Sequence, residues 1–148
     1  MSQSLVTTLS VDKGTVSRYV KPSCIEDGKI LNEAFDLRDR KPPEKYVSFY
    51  LLSTDNQREQ FSQAFSLLRM ASKPNGGITL LDVEEVLEEI NDEEDDIIAF
   101  FQKELPHCGL VYLSNNITKI QEAKTTLSYL ATNRFEYIKN IQSYERLN

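Results

Sequence analysis

Tyr46-Val47-Ser48-Phe49-Tyr50-Leu51-Leu52 is a seven-residue run with a single small polar member, Ser48. It is apolar on both alternating faces elsewhere, rich in aromatic and branched residues, and shorter than an ordinary globular helix. This pattern predicts a buried, central strand. Behind it, Ser53-Thr54-Asp55 offers three helix N-caps. Phe61, Ala64, Phe65, Leu68 and Ala71 then recur at helical spacing, with Arg58, Glu59, Gln63 and Arg69 off that stripe. One strand and one helix therefore have apolar faces to bury against each other.

Toward the N-terminus, residues 15–20 alternate Val16, Arg18 and Val20 against Ser17 and Tyr19 and stop at Lys21-Pro22, which predicts a strand. Residues 1–14 read as a frayed end or an edge strand. Glu26-Asp27-Gly28 marks a turn, and Ile30, Leu31, Ala34, Phe35 and Leu37 fit a helical turn or an irregular strand equally well. Residues 38–45, with Pro42-Pro43, form a loop.

Toward the C-terminus, Lys73-Pro74-Asn75-Gly76-Gly77 ends the first helix. Thr79 to Asp82 resembles a capping box ahead of a helix with the stripe Val83, Val86, Leu87 and Ile90. The acidic stretch 91–96 then links to another short helix, striped by Ile97, Ile98, Phe101 and Leu105 and stopped by Pro106. Residues 109–113 read as a second buried strand, and Asn116 lies where a cap for the last helix is needed. That helix keeps Ile120, Ala123, Leu127, Leu130, Ala131, Ile138 and Ile141 in register to about Tyr144, with Thr132-Asn133 as the place where it can break in two. Together these elements predict an α+β domain spanning 1–148: a small, mainly antiparallel sheet, helices packed on one face, and a long C-terminal helix.

At 148 residues the chain buries roughly 70% of its unfolded surface, enough for a core without staples. Cys24 and Cys108 lie far apart, and the start lacks a secretory pattern, so reduced thiols in a cytoplasmic protein are expected. No apolar run approaches the ~20 residues of a membrane helix, and no membrane association is expected. The net charge of −6 is unevenly placed: residues 82–104 hold 11 acids and one base, while the segments on either side are each +2. Such a chain is a poor match for nucleic acid, which needs cations against phosphates. Arg38, Arg40, Lys41 and Lys45, followed by Tyr46, Phe49 and Tyr50, form the basic and aromatic neighbourhood, and those aromatics are more simply core.

Three groups of residues carry functional expectations. Asp92-Glu93-Glu94-Asp95-Asp96 fails the EF-hand calcium pattern, because the sixth and twelfth places hold Ile97 and Lys103. Its acids, with Glu88 and Glu89, form instead a charged surface suited to a basic protein partner. His107 and Cys108 are neighbours on an extended chain and point to opposite faces, so they do not form a catalytic pair, and Cys24 adds no short-spaced metal set. Neither a metal nor a cofactor is expected.

Ser17-Arg18-Tyr19-Val20, Ala34-Phe35, Glu44 with Val47-Ser48, His107-Cys108-Gly109-Leu110 and a helix containing Leu130-Ala131 resemble, in that order, a pattern of small uncharacterised bacterial proteins. Cys108 departs from the alanine usual there. The resemblance implies a bacterial origin and no particular activity.

The leading functional expectation is a non-enzymatic interaction or accessory protein, docking through Glu88, Glu89, Asp92 and Glu93 on its acidic helices. A long last helix would leave Phe135, Ile138 and Ile141 uncovered, for a protein partner or a homodimer. The alternative is a small enzyme or ligand-binding domain whose pocket gathers Arg18, Ser48 and His107.

Overall fold

The computed structural model describes residues 9–38, 44–68 and 75–147, with side chains to residue 143. The expectations resting on residues 1–8, on Arg40, Lys41 and Pro42-Pro43, on Arg69, Ala71, Lys73 and Pro74, and on the Tyr144 side chain lie outside the described residues. In chain order the elements are β1 (Leu9–Ser10), β2 (Thr15–Val20), β3 (Ile25–Glu26), β4 (Lys29–Ile30), β5 (Val47–Leu51), α1 (Gln57–Leu67), β6 (Gly77–Asp82), α2 (Val83–Ile90), β7 (Ile98–Gln102), β8 (His107–Tyr112), α3 (Ile117–Asn133), β9 (Phe135–Tyr137) and α4 (Ile138–Leu147). Short 3₁₀ turns occupy Pro22–Cys24 and Asn32–Phe35.

Seven strands form one antiparallel sheet in the order β1-β7-β8-β5-β2-β6-β9, and β3 and β4 make a separate two-stranded hairpin. The class is therefore α+β, with β5 at the centre as its composition predicts. The turn at Asp27 and Gly28 takes positive φ at both residues, 52° and 75°, as a two-residue hairpin requires.

The helices pack on both faces of the sheet, not on one. Alternation along β6 shows why: Leu81 joins a cluster with Val16, Val20, Val47, Phe49, Phe100, Leu110, Val86, Leu127 and Ala131, while Ile78 and Leu80 join Leu52, Phe61, Ala64, Ile138 and Ile141. Neighbouring residues on a strand face opposite ways. Helices α2 and α3 thus cover the first face, and α1 and α4 the second.

Thr79 to Asp82, expected as a helix cap, and the segment striped by Ile97, Ile98 and Phe101, expected as a helix, belong to strands. Residues 77–82 are buried almost throughout, and the apolar pair Leu80-Leu81 serves both faces at once. The helix begins only after Asp82, whose side chain accepts from the Glu84 N–H at 3.1 Å. In β7, Ile98 and Phe100 alternate inward with half-buried Ala99 and Phe101. The helical spacing of Ile97, Ile98 and Phe101 was shared with a two-residue period, and Pro106 lies in the β7–β8 turn. Similarly, α1 is capped by Asn56, which accepts from the Arg58 and Glu59 N–H groups, and not by Ser53, Thr54 or Asp55.

The last helix breaks after Asn133. The buried Thr79 hydroxyl donates to the carbonyl of Ala131 at 2.7 Å, and the Leu80 N–H donates to the carbonyl of Arg134 at 2.9 Å, so β6 satisfies the end of α3. The chain then pairs with β6 as β9, Thr79 opposite Phe135 and Gly77 opposite Tyr137. Ile138 and Ile141, 4% and 0% exposed, are folded back into the second core. The long uninterrupted helix, and with it the interface expected at Ile138 and Ile141, is replaced by burial within the same chain; Phe135 is half-buried against Tyr137.

Candidate functional site

Strands β2 and β5 are paired at only two positions, Val16 with Leu51 and Ser17 with Tyr50. Continued register would set Tyr19 opposite Ser48. Instead the strands part, and the Arg18 side chain enters the gap: Nη1 donates to the Ser48 carbonyl at 2.8 Å and Nε to the Ala34 carbonyl at 2.9 Å. The guanidinium also lies 5.9 Å from the Phe49 ring centroid. Burial, then the neighbouring Arg38 cation, lowers the Arg18 pKa from its ordinary value, against the pull of Glu44. The ion pairs seen among the described residues, Lys119 with Asp95 and Lys124 with Asp36, do not include Arg18.

Arg18 also lines a cleft of about 530 Å³, together with Lys21, Ser23, Glu33, Asp36 and Arg38, among others. Asp36 is engaged by Lys124 at 2.7 Å, and Lys124 in turn sits 5.6 Å from the Tyr112 ring. The Tyr112 hydroxyl donates to the Phe35 carbonyl at 2.7 Å; burial and the nearby Asp36 raise its pKa, opposed by Arg18.

His107 is elsewhere. It is paired with Tyr50, and Tyr50 with Ser17, so all three side chains share the face opposite Arg18. The imidazole packs on the Tyr50 ring, centroids 5.0 Å apart, and is exposed. The three-residue pocket expected from Arg18, Ser48 and His107 therefore does not form: Arg18 meets the Ser48 backbone, while the Ser48 side chain shares the His107 face. On that face a smaller cavity of about 300 Å³ is lined by Tyr46, Ser48, Lys103 and His107, with Tyr46 and Phe101 edge to face over Gly109 and Lys103 4.7 Å from the Tyr46 centroid. A side chain at Gly109 would meet both rings at 2.8 Å, so the glycine is what lets them close.

Neither cysteine is a nucleophile candidate by placement. Cys24 and Cys108 are free and buried, and burial raises the Cys108 thiol to about 11. Among the described residues no group of three or more His, Cys, Asp or Glu side chains is placed to hold a metal ion. No helix there is long and apolar enough to cross a membrane.

The acidic segment is built as a presented surface. In α2, Val83 and Val86 are buried while Glu84, Glu85, Glu88 and Glu89 are exposed. The following loop is clasped by Asn91, whose Oδ1 accepts from the Ile97 and Ile98 N–H groups at 2.8 and 3.0 Å and whose Nδ2 donates to the Ile98 carbonyl at 2.9 Å. Asp92 is partly used inside the loop, accepting from the N–H groups of Glu94 and Asp95. Asp95 pairs with Lys119 at 2.7 Å, which raises the Lys119 pKa. Glu93, Glu94 and Asp96 face solvent. Arg18 and the acids are visible in the sequence as charges, and the cleft is not, because strand divergence leaves no residue signature. Set against protein-family models, curated proteins and solved structures, the chain matches none.

Proposed function

We propose that this protein is a non-catalytic accessory subunit that docks a basic surface of a protein partner on its acidic face, formed by α2 and the loop that follows. The observation that carries this reading is the run of exposed carboxylates at Glu84, Glu85, Glu88, Glu89, Glu93, Glu94 and Asp96, next to a loop in which Lys119 is bonded to Asp95. The Asn91 clasp holds that charge in a fixed shape, which reduces the ordering cost of association. Concentrated charge of one sign steers encounter with the opposite sign and makes the complex salt-sensitive. Both buried thiols being free suits a reducing compartment.

The test uses tagged full-length protein with its native lysate at about 50 and 500 mM salt, screening lengths near ~14 and ~4 Å. A partner retained at low salt, released at high salt and lost from Glu88→Lys/Glu89→Lys/Glu93→Lys supports the reading once purified components reproduce the same dependence. Asp92 is left intact because its side chain shapes the loop. Retention that ignores both salt and charge reversal overturns it.

A further inference from the structure

The Arg18 cleft has the makings of a second binding site, independent of the acidic face. Its floor is a half-buried guanidinium whose acceptors among the described residues are two backbone carbonyls. Carbonyls satisfy N–H donors without neutralising the charge. Glu44 pulls on this half-buried cation from a distance, and a directly bonded counter-charge would add to that pull. The remaining N–H groups of the planar fork are those that match an oxyanion.

The rim agrees with the floor. Lys21 and Arg38 are exposed there, and Arg38 is close enough to depress the Arg18 pKa. Of the two acids that line it, Asp36 is already neutralised by Lys124 and Glu33 is exposed at the edge, while Glu44 lies nearby and accepts from the Arg38 N–H at 2.7 Å. On a molecule that is acidic overall, this is a locally cationic hollow. Its volume of about 530 Å³ lies within the range of small-molecule sites.

We propose that this cleft binds a small molecule through an oxyanionic group, a carboxylate or phosphate, seated on the free edge of the Arg18 guanidinium and flanked by Lys21 and Arg38. The site recognises charge and planarity at one end of its ligand. Ser23 and Glu33 are placed to meet polar groups farther along it.

The test follows the Arg18 Nε–H resonance by NMR during titration with inorganic phosphate and, separately, acetate, ionic strength being held with sodium chloride. A saturable shift with either anion is the expected result, and the tighter of the two identifies the preferred oxyanion. Replacing Arg18 would also remove its bonds to Ala34 and Ser48, so the companion variant is Lys21→Gln/Arg38→Gln, which keeps both. It should weaken binding by about tenfold, the loss of one charge-assisted contact or slightly less. A shift that never saturates with either anion, or an affinity unchanged in the rim variant, overturns the proposal.

Discussion

The guanidinium of Arg134 donates to the side-chain oxygen of the buried Gln60, Nη2 to Oε1 at 2.8 Å, and so ties the end of α3 to the first turn of α1. The Gln60 amide nitrogen is shared between the Thr54 carbonyl at 2.8 Å and the Thr15 hydroxyl at 3.2 Å. Arg134→Met strands the amide oxygen in a dry site. The expected loss is about 1–3 kcal/mol in urea unfolding. Gln60→Leu alone also forfeits the amide bonds to Thr54 and Thr15, so the double variant should lose less than the two single losses summed; strictly additive losses would show that the pair is not coupled.

Ile141 tests which surface the last helix covers. Its side chain is 0% exposed among Phe61, Ala64, Ile78 and Leu80 of its own chain. Ile141→Ala should cost about 2–4 kcal/mol, with an unfolding midpoint independent of protein concentration. A midpoint that rises with concentration, and a substitution that lowers only that dependence, would place the residue between subunits.

Gly77 fixes the β6–β9 edge. A Cβ there would meet the Phe135 ring and approach the Glu136 carbonyl oxygen to 2.8 Å. A ring can turn, but a paired backbone carbonyl has little room. Gly77→Ala should therefore destabilise by about 1–3 kcal/mol and speed amide exchange at Phe135 and Tyr137. Unaltered exchange along β9 would contradict the packing.

The alkaline limb of stability should belong to Cys108 and Tyr112. The fold raises both pKa values, chiefly by burial, and thereby favours the protonated forms. Their contribution is complete below the unfolded pKa values and is lost as pH rises through the folded ones, about 11 for the thiol. Urea midpoints measured from pH 8 upward should fall first in the thiol range, and Cys108→Ala should flatten that first decline. Midpoints that stay level to pH 11 would mean that the thiolate is tolerated inside.

Residues that obey one period were legible in the sequence. β2 follows from alternation and α2 from helical spacing, β5 and β8 follow from short runs of aromatic and branched residues, and Asn116 is the expected cap, accepting from the Lys119 N–H at 3.2 Å. Where two periods coincide, the sequence is silent. Ile97, Ile98 and Phe101 satisfy both helix and strand templates, and tertiary pairing with β8 decides for the strand. Leu80-Leu81 reads as a helix start because a strand buried on both faces has no polar side to reveal it. The break after Asn133 is prefigured by Thr132-Asn133, yet the partner that holds it, the Thr79 hydroxyl, lies more than fifty residues earlier. At the candidate site Arg18 was visible as a charge on a strand. Its separation from His107 needed the register.

The narrow joint between β2 and β5 also gives the sheet a mechanical grain. Two paired positions cross it, against six between β2 and β6 and five between β7 and β8. Shear between the two halves of the sheet must concentrate where the fewest bonds resist, and there a side chain stands in for the missing rungs. Arg18 acts as a rivet: its grip on the Ser48 carbonyl holds the plates together just beyond the last main-chain pair. The side chain that lines the cleft is thus the same one that fastens the two plates.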